Sequence, residues 1–245
     1  MSDLELDRNY KRNDRGPKVK LIQEWLSLNG ARVALDGDFG PATEAAVKAF
    51  QTKSSLAADG VVGPRTFAKL IQPMTDALAP LPVASGNLGA VVALYARQHL
   101  ASAPREVGGQ NRGPWVRLYM DGQEGAEWAW CAGFACFVLK QACDAVGMPL
   151  PLTPSVSCDS LAASAQQRGL FLKGAPDMDR RRLGPGSLFL NRRTPTDWVH
   201  TGIVIDVAAE TLQTIEGNTN DEGSREGYEV CQRIRGYAQK DFVVI

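Results

Sequence analysis

Apolar residues in the first third of the chain recur at steps of three and four: Val19, Ile22 and Leu26, then Ala46 and Phe50, then Phe67, Leu70 and Ile71. That spacing predicts three short helices, each turning one face into a common core. An internal echo punctuates them, with D-G-D-F-G-P-A-T at 36–43 returning as D-G-V-V-G-P-R-T at 59–66. Asp-Gly suits a turn with positive φ, and Pro41 and Pro64 stand where the first helical residue needs no N–H donor, so each copy reads as a turn that opens a helix. Gly30 closes the first helix and Pro73 follows the last. The expected unit is a small all-α three-helix bundle over residues 8–73.

Residues 74–87 turn to Ala, Leu, Pro, Ser and Gly and read as a short, semi-rigid linker. Asn87 is placed to cap a helix running through Leu88, Val91, Val92, Tyr95 and Ala96. A polar loop follows, E-V-G-G-Q-N-R-G-P-W at 106–115, and then a helix expected over 131–146, apolar nearly all round and ended by Gly147. Beyond residue 186 the runs shorten and become rich in β-branched and aromatic residues, at 187–190, 199–207, 212–215, 228–234 and 242–245. Residues 88–245 are therefore expected to form an α+β domain, helices first and an antiparallel sheet after.

Composition narrows the partners. Lys and Arg number 27 and Asp and Glu 27, so no global field draws the chain to nucleic acid or to an anionic membrane. No apolar run reaches the length of a membrane span. Any polymer it binds is recognised locally. The opening M-S-D-L-E-L-D lacks the basic and apolar parts of a secretory signal, so synthesis in the cytoplasm is expected. Five cysteines, an odd number, argue against a complete disulfide framework. With only His99 and His200, and no Cys-x-x-Cys spacing, no metal and no other cofactor is expected.

One cysteine stands apart. Cys131 joins the Trp-bearing segment E-W-A-W-C to the apolar helix, and a helix N-terminus favours a thiolate while its unpaired N–H groups suit an oxyanion. Cys136 and Cys143 share another face of that helix and, with Cys158 and Cys231, read as small buried hydrophobes. His200 begins the run H-T-G-I-V-I, and the next strand, T-I-E-G-N-T-N, alternates Glu216 and Asn218 onto one face, where a hairpin brings them beside the imidazole. Nucleophile, base and orienting acceptor are then all present, with Glu216 and Asn218 both candidates for the last role. His99 reads as packing or surface, and Asp179-Arg180-Arg181-Arg182 as a solvated turn.

Two resemblances arise from these residues. Gly16, Val19, Ile22-Gln23, Asp36-Gly37-Asp38-Phe39-Gly40, Thr43, Ala46-Val47, Phe50-Gln51, Asp59-Gly60 and Val62-Gly63 resemble the three-helix peptidoglycan-binding domain found beside wall hydrolases, with Ile22 in place of Leu. Trp130-Cys131-Ala132-Gly133-Phe134, Pro185-Gly186-Ser187, His200-Thr201-Gly202-Ile203-Val204 and Glu216-Gly217-Asn218 resemble the cysteine, histidine-dependent amidohydrolases and peptidases (CHAP), with Ser187 where that family usually has Asp. The second resemblance implies a papain-like domain with catalytic residues Cys131, His200, Glu216 and Asn218. Together they imply a monomeric hydrolase that binds bacterial peptidoglycan and cuts one of its amides, as a muramoyl-alanine amidase or an endopeptidase.

The implied place of action is the periplasm or wall, reached as a phage endolysin or as an injected toxin. A toxin would have a secretion apparatus and an immunity protein as partners. Two other functions stay open: a wall-anchoring protein without turnover, and an amidase for a small soluble amide. A linker between modules also predicts that removing residues 1–73 spares action on soluble fragments.

Overall fold

The computed structural model describes residues 3–82, 86–220 and 227–245. The N-terminal part holds α1 (Pro17–Leu28), α2 (Pro41–Lys53) and α3 (Pro64–Leu70), each opened by Pro behind a glycine N-cap. The sequence echo has a physical centre that its turn residues alone did not reveal. In the first copy Gln23 Nε2 donates to Asp36 Oδ1 (2.8 Å) and Asp38 O (3.0 Å), and its Oε1 accepts from Gly37 N (2.8 Å). In the second, Gln51 Nε2 donates to Asp59 Oδ1 (2.8 Å) and Val61 O (3.0 Å), and its Oε1 accepts from Gly60 N (2.9 Å). Each buried amide reads the backbone of a turn whose glycine has positive φ, 71° at Gly37 and 77° at Gly60. A side chain at either glycine would strain that conformation.

The expected linker is corrected over its first part. Helix α4 spans Gln72–Leu78 and buries Met74 and Ala77. Pro73 lies in its first turn, where the missing N–H costs nothing, and so opens a helix instead of ending the unit. Gln98 Nε2 donates to Ala79 O (3.0 Å) and Gln141 Nε2 to Ala77 O (2.9 Å), pinning α4 to the helices beyond it. Residues 83–85 of the expected linker lie outside the described residues.

The remainder contains α5 (Leu88–Ala101), α6 (Pro114–Tyr119), α7 (Cys131–Val146) and α8 (Cys158–Gln167), followed by the sheet. Asn87 caps α5 through Ala90 N (3.0 Å), and Gly147 ends α7 in the left-handed region at φ 69°. The strands are β1 (Phe171–Leu172), β2 (Leu188–Thr194), β3 (Asp197–Val207), β4 (Thr211–Thr219), β5 (Glu229–Gly236) and β6 (Lys240–Val243). They lie antiparallel in the order β1-β6-β2-β3-β4-β5, a four-strand meander with β6 returning beside β2. Helices followed by an antiparallel sheet is the order the sequence predicts.

Alternate strand residues serve two cores. Leu188, Leu190, Ile203, Ile215 and Val243 join the helices, while Phe189, Val204, Leu212 and Phe242 form a smaller cluster.

The larger core does not stop at the N-terminal helices but runs through them as one cluster. Trp25 of α1 meets Trp115 of α6 edge-on, with centroids 6.4 Å apart. Beside that contact Arg117 of α6 donates to Glu24 of α1 (2.6 Å), Asp3 (2.7 Å) and Glu124 (2.7 Å). Glu24 is buried and its pKa is raised by that burial, against the pull of Arg117. The two parts are thus packed and charge-locked together. Truncation at residue 73 would expose Trp115 and leave Arg117 with Glu124 alone of its three carboxylates.

Arg117→Met should lower global stability by about 3 kcal/mol, because three carboxylates, one of them buried, lose the cation they share. Thermal unfolding at matched ionic strength reads this directly. A melting temperature equal to that of the unaltered protein would show that the lock is ornamental.

Candidate active site

Helix α7 begins at Cys131, and its start is held from three sides by Trp130. The Trp130 backbone N–H donates to Asn218 Oδ1 (2.9 Å), its indole N–H donates to Glu106 Oε1 (2.9 Å), and its ring stacks on Tyr119 with centroids 5.5 Å apart. Gly217 makes room for this packing, since a Cβ there would meet Trp130 Cζ3 and Phe134 Cβ at 2.8 Å each. The backbone that carries the Cys131 side chain is therefore held in place. The residue is 5% exposed.

His200 of β3 and Glu216 of β4 complete the set. His200 Nε2 is 2.8 Å from Glu216 Oε2, which leaves Nδ1 as the ring nitrogen for Cys131. Gly202 lets the carboxylate approach: a Cβ at that position would lie 2.6 Å from Glu216 Cγ. Glu216 is fully buried yet saturated, accepting from Arg235 Nε (2.8 Å), Arg235 Nη2 (2.6 Å) and Thr214 Oγ1 besides the imidazole. Sequence reasoning missed Arg235. It lies on β5 opposite Leu212, and its long side chain reaches along the sheet to Glu216.

Asn218 is placed elsewhere than the sequence reading has it. A register shift between β4 and β5 falls at Glu216–Thr219, and Asn218 takes a left-handed φ of 55°. The alternation that would set it beside Glu216 is broken there. Its amide holds Trp130 N, Gly227 O (2.7 Å) and Asn111 Oδ1 (3.3 Å). Asn218 thus bonds to the start of α7, while Glu216 is the acceptor hydrogen-bonded to the imidazole. Glu106 and Asn111, in the loop read only as polar, belong to the same support: Glu106 Oε2 accepts from Asn111 N (2.8 Å), and Asn111 Nδ2 donates to Ala126 O (3.0 Å).

Cys158 is the second surprise. It is the first residue of α8, behind the N-cap Ser157, and its sulfur lies 4.0 Å from that of Cys131. Reading it as a buried hydrophobe misses that address. The signal was local: Ser157 before it and Asp159 after it are helix-start residues.

The charges divide accordingly. Cys131 is held well below the usual thiol range by its contact with Cys158 and by His200, against the opposing effect of burial. Cys158 is pushed up by the neighbouring Cys131 and by burial, so one sulfur of the pair takes the charge and the other keeps its proton. Burial disfavours a charged His200, but the hydrogen bonds and charges of Cys131 and Glu216 outweigh it and raise the imidazole to about 9. Glu216, despite burial, is brought to about 2 by Arg235 and His200. These directions favour a thiolate–imidazolium pair backed by a carboxylate whose charge Arg235 offsets. His99, by contrast, is fully buried, bonded to Tyr119 Oη (2.8 Å) and Gln141 Oε1 (2.9 Å), and lowered to about 4 by burial; it is a packing residue.

Residues 15–70 match the family described as a putative peptidoglycan binding domain, and the chain carries an N-terminal domain of that type. The zinc D-Ala-D-Ala carboxypeptidase of Streptomyces albus G is 54% identical over 52 residues, 21% of this chain and 20% of that protein. An uncharacterized protein of Kitasatospora aureofaciens is 44% identical over 71 residues, 28% of this chain and 60% of its own length. The chain thus spans a fifth of one curated relative and three-fifths of the other. Among solved structures, a Burkholderia AP3 phage endolysin matches with 28% identity over 43% of this chain and 40% of its own, at a TM-score of 0.26.

Among the described residues no three His, Cys, Asp or Glu side chains gather as a metal site. Both nitrogens of His99 are engaged by Tyr119 and Gln141, and His200 is bound to Glu216.

The ion pair has a direct readout in the pH dependence of Cys131 alkylation by iodoacetamide, followed by peptide mass mapping. Glu216→Gln weakens the imidazolium, so the thiolate loses its partner and the midpoint moves to higher pH. About tenfold slower labelling at neutral pH is expected for each unit of that shift. Coincident midpoints would leave Glu216 a purely structural role.

Proposed function

We propose that this protein is a peptidoglycan hydrolase that cleaves an amide bond of the wall with Cys131 as nucleophile. The observation that carries the reading is the seat of Cys131 at the first residue of α7 against His200, whose far nitrogen is held by buried Glu216. The peptidoglycan-binding domain packed onto the same core supplies the polymer. A helix-borne cysteine followed by a histidine and an acid on neighbouring strands is also the order implied by the CHAP resemblance and its papain-like fold.

In the reaction so proposed, the Cys131 thiolate adds to the amide carbonyl carbon and forms a C–S bond. The backbone N–H of Cys131, with no partner inside its own helix, faces the developing oxyanion. As the C–N bond breaks, the proton on His200 passes to the departing amine, leaving a thioester. Neutral His200 then takes a proton from water, the hydroxide adds to the thioester, and release of the acid restores thiolate and imidazolium. Glu216 keeps the imidazole in one tautomer and steadies its charge, Arg235 prevents Glu216 from repelling the thiolate, and Asn218 acts only through Trp130. Nucleophile, base and acid come from a single chain.

The fused core gives the binding domain a stricter job than tethering. A bound wall strand lies at a fixed offset from Cys131, so affinity for the polymer also selects which amides come within reach. This substrate sets the place of action in the wall or periplasm, for an endolysin and an injected toxin alike.

Purified sacculi digested in parallel by the unaltered protein and by Cys131→Ala, with the soluble products identified by mass spectrometry, test the reading. Defined fragments should appear only with the cysteine present, and their new termini name the bond. Cys131→Ala should still sediment with sacculi. Equal release by both proteins, or release by neither, would sink the cysteine-hydrolase proposal; sedimentation without release would leave a wall-binding protein.

A further inference from the structure

Cys158 has no step in the mechanism above, yet it is built into the site as firmly as Cys131. Asp159, the next residue, accepts a hydrogen bond from Trp198 N of β3 (2.7 Å), tying the start of α8 to the strand that carries His200. The chain leading into α8 is held as well: Cys136 of α7 receives Ser155 N (3.4 Å) and donates to Ser155 O (3.3 Å), and Thr153 N donates to Ser164 Oγ (2.9 Å). Ser157 Oγ accepts from Ser160 N. Two helix N-termini are thereby locked facing each other with one sulfur on each, 4.0 Å apart. Cys131 and Cys158 are not joined by a disulfide in this structure.

We propose that Cys131 and Cys158 are a reversible redox pair, in which a hydroperoxide oxidises the nucleophile and Cys158 captures the product as an intramolecular disulfide. The proposal rests on Cys131 being the reactive thiolate. Bringing two sulfurs from 4.0 Å to bonding distance, about 2 Å, is within the reach of side-chain rotation. Atoms and electrons balance over two steps. The Cys131 thiolate attacks one peroxide oxygen, the O–O bond breaks, and hydroxide or alkoxide leaves with Cys131 as a sulfenic acid. The Cys158 sulfur then attacks the Cys131 sulfur; an S–S bond forms, the S–O bond breaks, and the oxygen leaves as water with the Cys158 proton. Two electrons move from the pair to the peroxide.

Both sulfurs are nearly buried, Cys131 at 5% and Cys158 at 7% exposure, so a small peroxide suits the approach better than a bulky disulfide reagent. The disulfide would silence hydrolysis while the oxidant lasts. It would also spare the nucleophile from the further oxidation that thiols do not reverse. A dithiol reductant would return the active pair.

The test uses the full-length protein treated with a small molar excess of hydrogen peroxide, then peptide mapping without reduction and activity on sacculi before and after dithiothreitol. A linked peptide joining Cys131 to Cys158, lighter by two hydrogen atoms, and recovery of at least about 80% of activity are expected. Cys158→Ser should instead carry two added oxygen atoms on Cys131 and recover less than about 10%. Cys158→Ala, with circular dichroism on both variants, separates loss of the resolving thiol from loss of fold. Absence of the linked peptide from the unaltered protein, with Cys131 over-oxidised to the same extent in all three proteins, would overturn the proposal. The peptide map needs no hydrolysis, so a protein that forms the link but releases nothing from sacculi would defeat the proposed function and leave the redox pair standing.

Discussion

Everything at the candidate site depends on where α7 starts, and that is settled by the burial of Trp130. Its backbone amide, its indole and its ring face are each claimed by a different element: Asn218 on β4, Glu106 in the loop before α6, and Tyr119 on α6. The indole cannot rotate without breaking its hydrogen bond to Glu106 and unstacking an aromatic pair, each worth about 1 kcal/mol or more. Cys131 comes directly after it, so the constraint on the indole becomes a constraint on the sulfur. The small residues of the site serve the same end. Gly217 admits the indole against β4, and Gly202 admits Glu216 against β3.

The aromatic packing does not end at the site. From Trp130 the stack passes to Tyr119, then to Trp115, then to Trp25 in the peptidoglycan-binding domain, with successive centroids 5.5, 6.1 and 6.4 Å apart. Arg117 adds a charged clasp along the same seam. Close-packed interiors transmit displacement instead of absorbing it. A shift of α1 upon wall binding therefore has a packed route to the start of α7, which a flexible linker would not provide.

How much of this was legible in the sequence depends on the range of the interactions. Glycine and proline act on their own backbone, so the starts of α2 and α3 and the end of α7 were readable from Pro41, Pro64 and Gly147. Pro73 misled because proline is at home both just past the end of one helix and in the first turn of another, and here it opens α4. Motif order pointed to Cys131, His200 and Glu216, which the structure brings together. Asn218 was assigned by strand alternation, and one left-handed residue undoes that rule. Arg235 and the nearness of Cys158 were out of reach, since each depends on sheet register or on the path of 147–157 back to the site.

Electrostatics explains why the quartet can be buried at all. A thiolate, an imidazolium and a carboxylate together carry one net negative charge, and leaving that charge in an interior costs several kcal/mol. Arg235 cancels it, and does so through two hydrogen bonds to Glu216 instead of at the sulfur. The signs then alternate along the row Cys131, His200, Glu216, Arg235, and every neighbouring pair attracts. Had the cation been placed beside Cys131, the imidazolium would have lost its reason to hold a proton, and the thiolate would have been stabilised at the expense of its reactivity. Placed at the far end, the guanidinium makes the buried carboxylate tolerable and leaves the sulfur to Cys158 and to the imidazolium, which has a proton to give.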